Sequence, residues 1–400
     1  MRYLLLAFLC LITVVAYLQR SALGVPSKVI EGELQLSPQA MGLVWLAWYA
    51  GYAAFQLPAG WVADRLGSKP ALLLFAAAWS VLTALLGSAT GFTGLLMLWG
   101  LMGAAQAGIF PCAAKAIGAT FRRTEQAFAS GWLACCMAGG AALSQEVTGQ
   151  LLGLLSWQQI LVAYAVPGFL WVIAFGLIVP RPDGPRPAPI ETVAPVRWSR
   201  LLTDPQMILL SSQQFQRAAA TALFFTWFPR YLQETKGLTP QESGSLAAWP
   251  LLAGMLGGLL GGTGSDWLLR KTGNARLSRQ GLAAVAMVIC AGVSLGAYFA
   301  ADVHTAVTLV SIAGFCAYVG GVSAYAVAIA LGGTRVTPVF ATMNMAGNVG
   351  AGLFPFAVGQ LVGATNDWNL TLLLFAGLFA GSAVCWAMLN PKGTLFEEPK

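Results

Sequence analysis

Twelve apolar stretches, each long enough to cross a bilayer as a helix, occupy nearly all of this 400-residue chain. That pattern restricts the fold more than any single motif. Hydrocarbon offers no hydrogen bonds, so backbone N–H and C=O groups must be satisfied within each segment, which leaves the α-helix for stretches of this length. The spans run approximately over 3–26, 39–63, 70–89, 93–121, 126–154 and 157–180, then 205–233, 240–269, 279–300, 305–332, 337–364 and 370–390. Hydrophobic residues make up 57% of the chain and charged residues 9%, too few charges to cover the surface of a soluble domain of this length. The expected fold is an all-α polytopic membrane protein with 12 transmembrane helices.

The first span starts almost at Met1. A secretory leader would have a shorter apolar core and a small-residue cleavage site, so this span reads as a retained helix. Cys10, Cys112, Cys135, Cys136, Cys290, Cys316 and Cys385 all fall within spans and lack metal-ligand spacing; they read as reduced packing residues. The net charge of +7 follows topology. Basic residues recur in alternate loops: Arg65 and Lys69, Arg122 and Arg123, Arg181 to Arg200, Arg270 to Arg279, Arg335, then Lys392 and Lys400. The intervening loops hold Lys28, Arg230 and Lys236. The positive-inside rule then places both termini in the cytoplasm, with a bacterial inner membrane as the expected location, and argues against a nucleic-acid partner.

One long polar connection, 181–204, separates an N-terminal bundle (1–180) from a C-terminal bundle (205–400) that ends in a short tail. The halves share a weak repeat: Gly60, Asp64, Arg65 and Lys69 follow span 2, and Gly262, Asp266, Arg270 and Lys271 follow span 8. Repeated halves around a midplane site are a transporter architecture. The glycine-rich run Gly254 to Gly264 reads as close helix packing.

Arg20 and Arg217 sit inside the first span of each half with no acid nearby. An arginine at a helix centre costs roughly 2.5–3.5 kcal/mol on insertion scales. A shared water-filled cavity that receives an anion accounts for both; the alternative is snorkelling to an interface or pairing with a lipid.

Gly60, Asp64, Arg65, Gly67 and Lys69 resemble the loop 2–3 signature of the major facilitator superfamily. The resemblance implies two pseudo-symmetric six-helix bundles. It also implies a cytoplasmic gate in which Gly60 lets spans 2 and 11 approach and Asp64 faces the start of span 11 near Thr337 and Pro338. Asp266 marks a second copy, with Trp267 in place of Arg65.

Finer likeness lies in Tyr17 to Arg20, Tyr52 to Pro58, Gln106 to Pro111, Phe224 to Leu232 and Asn344 to Asn348. Together these segments resemble the anion:cation symporter family, which includes bacterial sugar-acid transporters, vesicular glutamate transporters and sialin. The resemblance implies that Arg20 binds a substrate carboxylate and that Arg217 is a second anion contact, suited to bidentate hydrogen bonding. Tyr17 and Tyr52 are candidate hydroxyl partners or packing residues. Asn344 and Asn348 are candidates for substrate hydroxyls or for helix–helix hydrogen bonds.

The chain departs from the family at the coupling positions. Where proton-coupled members place acids, it has Gln19 and Gln106, and amides do not take up protons at physiological pH. Gln106 stays a candidate substrate contact. Glu146 is either a substitute titrating group or a side chain reaching outer water. Lys115 either steers anions and pairs at the gate or snorkels to headgroups. His304 is alone in a loop.

The expected function is transport of an organic anion (a sugar acid, dicarboxylate or acidic amino acid) by exchange or uniport, by a monomer without cofactor. An organophosphate:phosphate antiporter, a proton-coupled symporter using Glu146 and a non-transporting anion sensor are the alternatives. Zinc spacing and paired intramembrane acids are missing from the sequence, which argues against an enzyme.

Overall fold

The computed structural model describes residues 2–180, 198–333, 336–390 and 395. Most of the 181–204 connection therefore lies outside the described residues, as do Arg335, Lys392, Lys400 and the side chains of Arg123, Arg200 and Thr337. The chain is an all-α membrane protein, and no strand occurs among the described residues. Nine described helical segments are long and apolar enough to cross a membrane by length and composition. Spans 2, 5 and 7 are the remaining expected spans; Ser144, Gln145 and Thr148 of span 5 and Gln213, Gln214 and Arg217 of span 7 are buried against protein.

Three spans are interrupted. Span 1 is α1 (Arg2–Arg20), a six-residue turn and α2 (Ser27–Glu33). Span 2 is α3 (Pro38–Leu66), and span 3 is α4 (Ser68–Leu86). Span 4 divides into α5 (Phe92–Gln106) and α6 (Ile109–Thr120). Spans 5 and 6 are α7 (Arg123–Leu151) and α8 (Trp157–Ile178); a short α9 (Trp198–Thr203) follows. Span 7 divides into α10 (Pro205–Phe225) and α11 (Phe228–Lys236). The remaining spans are α12 (Pro240–Thr272), α13 (Leu282–Phe299) entered through a π-turn at Arg276–Gly281, α14 (Val303–Gly332), α15 (Val336–Thr365) and α16 (Leu370–Met388).

Each break has a proline at its end or just beyond it: Pro26, Pro111 and Pro229. A proline lacks the N–H that would bond the carbonyl four residues back and crowds that carbonyl sterically. Pro58, Pro167, Pro250 and Pro355 stay inside continuous helices, so proline alone does not break a span here. Around the break in span 1, side chains of other spans donate to backbone carbonyls. Gln106 Nε2 donates to Ala16 O (3.1 Å), Ser144 Oγ to Leu18 O (2.7 Å), and Gln233 Nε2 to Val25 O (3.0 Å). Backbone turns take two more: Ser21 N donates to Tyr17 O (3.1 Å) and Ala22 N to Gln19 O (3.3 Å). In span 7, Gln145 Nε2 donates to Phe224 O at 3.4 Å, and Trp227 Nε1 donates to Pro355 O at 2.9 Å.

Among the described residues, one compact unit holds spans 1–6 together with Phe224–Ala248 and Pro355–Trp368, and the second holds the rest. All three breaks belong to the first unit. Within it α3 packs on α5, α1 on α7 and α4 on α8; in the second, α13 packs between α14 and α16. Small residues set the tightest crossings. A Cβ on Gly103 of α5 would overlap the Trp48 carbonyl oxygen, and one on Gly257 of α12 would overlap that of Phe315, as expected for the glycine-rich run.

Overpacking a close crossing costs roughly 1–3 kcal/mol. Gly103→Val should therefore lower the thermal unfolding midpoint of the detergent-solubilised protein by several degrees. Gly139→Ala, where a Cβ meets nothing within 4 Å, should leave it unchanged or higher. Equal midpoints for the two variants would contradict the packing argument.

Candidate functional site

Arg20 is the last residue of α1 and is half-buried at the break. The sequence placed it well inside a continuous span; the structure places it where the helix stops. A helix C-terminus carries negative partial charge, which favours a cation. Four aromatic side chains, Tyr17 of α1 and Trp48, Tyr49 and Tyr52 of α3, are buried around it. Nη1 donates to the Tyr17 hydroxyl at 3.2 Å. The guanidinium lies 3.8 Å over the Trp48 ring and 5.1 Å from the rings of Tyr17 and Tyr49. Tyr52 stacks behind Trp48, with centroids 5.1 Å apart and planes 15° from parallel. Cation–π contacts contribute about 0.5–2 kcal/mol each. Several of them therefore offset most of the intramembrane penalty without an acid. Among the described residues no ion pair involves Arg20.

The coupling positions are turned into the protein. Gln19 is fully buried and donates from Nε2 to Tyr164 O of α8 at 2.7 Å. Gln106 is buried too, and its Nε2 donates to Ala16 O, one turn before the end of α1. Both amides serve as structural donors at these places.

In the second unit Arg217 of α10 is buried and unpaired with any acid among the described residues. Its Nη2 donates to Gln214 Oε1 at 2.9 Å, and its Nε is buried without a partner. A Cβ on Gly321 of α14 would lie 3.0 Å from Nη1, so that glycine makes room for the guanidinium. Gln214 in turn lies against Gly347 of α15, one helical turn from Asn344. Asn344 and Asn348 are half-buried, with no hydrogen-bond partner for either amide among the described residues.

At the motif after span 2, Lys115 of α6 donates to Asp64 Oδ1 at 2.9 Å and to Ala63 O at 2.8 Å. Lys69 donates to Gly176 O at 2.9 Å and to Val179 O, tying α4 to the end of α8. Arg65 stacks 3.9 Å over Trp61, and Gly67 ends α3 at φ 87°, a conformation that requires glycine. Gly60 lies on α3 in the first unit, and the start of span 11, its expected partner, belongs to the second. The expected contact of Asp64 with span 11 involves Thr337, whose side chain lies outside the described residues. Asp266 accepts from Arg279 Nη2 at 2.6 Å, a partner on the π-turn rather than on a repeat equivalent of α6. Glu146 is half-buried and accepts from Gln150 at 3.1 Å, while His304 is exposed.

The sequence reading missed Trp48, Tyr49 and Glu31. The first two were detectable: Trp45, Trp48, Tyr49 and Tyr52 recur at i, i+3, i+4 and i+7, one face of a helix. Glu31 carries no such signal, because its burial depends on α11. No group of three His, Cys, Asp or Glu among the described residues is placed to hold a metal ion.

Comparison with known proteins agrees with this architecture. The profile of the Major Facilitator Superfamily matches residues 9–333. A probable sulfoacetate transporter of Cupriavidus necator is 26% identical over 98% of this chain and 94% of its own length. A hexuronate transporter of Bacillus subtilis is 28% identical over 98% of this chain and 97% of its own. A probable galactarate/D-glucarate transporter of Escherichia coli is 26% identical over 96% and 92%. Among solved structures, a bacterial homologue of the human lysosomal transporter Spinster, inward-facing and occupied, superposes with a TM-score of 0.77 at 19% identity, covering 97% of this chain and 94% of that one. These relatives are membrane transporters and not enzymes, and the chain belongs to the Major Facilitator Superfamily.

Proposed function

We propose that this chain carries an organic anion, a carboxylate of the sugar-acid, dicarboxylate or acidic amino-acid class, across the membrane by alternating access. Arg20 and Arg217 are its cationic contacts in this reading. The observation that carries it is Arg20: a guanidinium at a helix break, held by aromatic faces and one hydroxyl, with no carboxylate paired to it among the described residues. Aromatic contacts use the faces of the guanidinium and leave edge N–H groups to donate, which is the bidentate geometry a carboxylate accepts. The relatives named for sulfoacetate, hexuronate and galactarate/glucarate transport support the same substrate class.

Arg20 keeps its charge when the site is empty, so reorientation without an anion moves an uncompensated cation. That favours exchange, or uniport of the loaded form. Gln19 and Gln106, engaged with the Tyr164 and Ala16 carbonyls, offer no titrating group to link the anion to a proton.

Thermal-shift titration of the purified protein with galactarate, glucuronate, galactonate, sulfoacetate and phosphorylated sugars should identify carboxylates that raise the midpoint. Arg20→Ala and Arg217→Ala should each weaken that ligand at least tenfold, about 1.4 kcal/mol. Unchanged shifts in both variants rule out these arginines as contacts of the anion. In proteoliposomes, uptake of the identified anion should leave external pH constant; stoichiometric alkalinisation would sink the exchange reading. Gln106→Glu tests the positioning role separately. An ionised carboxylate cannot donate to Ala16 O, so this variant should be less stable at pH 8 than at pH 5, by roughly 1–3 kcal/mol. A flat stability profile argues that Gln106 does not hold the α1 break.

A further inference from the structure

The turn between spans 8 and 9 carries four basic residues within ten positions: Arg270, Lys271, Arg276 and Arg279. Asp266 is the one acid beside them, and it accepts from Arg279 Nη2 at 2.6 Å. Among the described residues Arg270, Lys271 and Arg276 enter no ion pair. Four cations against one acid leave three positive charges where two apolar spans meet. Trp267 is exposed just ahead of them, with the Lys271 ammonium 5.0 Å over its ring. Tryptophan at a span end marks the level of the lipid headgroups.

An exposed arginine is ordinarily free to move, but Arg276 is held at backbone and side chain. Its backbone N–H and that of Leu277 donate to Asn274 Oδ1 at 3.0 and 3.2 Å, which fixes the entry to the π-turn. Its Nε donates to Gln280 Oε1 at 3.2 Å. Gln280 is itself buried, and its Nε2 donates to Trp386 O at 2.8 Å and Ala387 O at 3.1 Å, at the end of α16. The buried amide therefore sets the plane of an exposed guanidinium. The two Nη groups are left to donate, and a pair of N–H groups side by side matches two oxygens of one phosphate.

An open groove of about 350 Å³ adjoins this guanidinium, with Leu277, Gly281, Ala284 and Ala387 in its walls. One turn further into the spans, Val288 of α13 and Val384 of α16 continue the exposed apolar surface. A groove of about 360 Å³ lies by Arg279 on the α14 side, but Asp266 already occupies that guanidinium. Every lipid-facing surface touches acyl chains. What singles out the α13–α16 groove is the oriented, unpaired cation at its end.

We propose that this turn binds a phospholipid with an anionic headgroup, its phosphate on the Nη edge of Arg276 and an acyl chain along the groove between α13 and α16. Arg270 and Lys271 add attraction for the negative headgroup and disfavour one that carries an ammonium. A soluble phosphate compound would use the charges and leave the groove empty, so the apolar walls favour a lipid. The site does not depend on which anion the chain carries.

Native mass spectrometry of the full chain in detergent resolves individual bound lipids and their affinities. The first phosphatidylglycerol should bind about tenfold more tightly than phosphatidylcholine of the same chain length. Arg276→Gln should weaken that lipid about tenfold, to the level of phosphatidylcholine. Arg276→Lys keeps the charge without the paired edge and should lose affinity as well. Arg122→Gln, which removes an exposed cation from another loop, should change nothing. Glycerol phosphate, a head without chains, should not displace the lipid at equal concentration. Equal affinity for the two lipids, full retention in either Arg276 variant, an equal loss in Arg122→Gln, or displacement by glycerol phosphate would each overturn the site.

Discussion

A helix that stops inside a membrane must pass its last carbonyls to other donors, and the candidate site depends on how α1 does this. Ala16, Leu18 and Val25 are served by Gln106, Ser144 and Gln233, from three different spans. In hydrocarbon each unsatisfied carbonyl would cost several kcal/mol. The break therefore exists because the surrounding spans carry amides and a hydroxyl at matching depth. Gln19 and Gln106 donate to the backbone carbonyls of Tyr164 and Ala16, which an ionised acid could not do.

The break then sets the electrostatics of Arg20. At the end of α1 its backbone belongs to the negative pole of the helix, and its side chain is free to turn toward α3. Trp48 and Tyr49 meet it there, stabilising the charge through ring faces without neutralising it. A carboxylate in that place would bind the arginine permanently and compete with any incoming anion. Aromatic faces compete weakly for the N–H edges. Arg217 reaches a comparable state by other means: a neutral amide and a glycine backbone receive it, and again no acid is paired with it among the described residues.

Much of the fold was legible because bilayer spans announce themselves by length and apolarity, with observed ends falling within a few residues of the expected ones for most spans. The interruptions were less so. Pro26, Pro111 and Pro229 look no different in sequence from Pro58 or Pro355, which continuous helices absorb. Whether a proline breaks a span depends on donors from elsewhere in the fold, and these cannot be read locally. The arginines stood out since charge in an apolar run is rare, while the cage around Arg20 was available only as an aromatic stripe that could equally have been core. Gln106 was read as a possible ligand contact because its chemistry permits one; its neighbour, a backbone carbonyl, carries no sequence signature. Glu31 was missed for a related reason. In sequence it sits in a short loop beside Lys28 and Glu33, and its burial arises from a helix two hundred residues away.

Glu31 and Arg20 show why the position of a charge relative to a break matters more than its depth alone. Arg20 precedes the break, on the long piece of span 1, where aromatic contacts hold its charge at all times. Glu31 follows the break, on a seven-residue helix, and is buried against Arg230 of α11. A charge on the long piece is part of a fixed frame and suits binding.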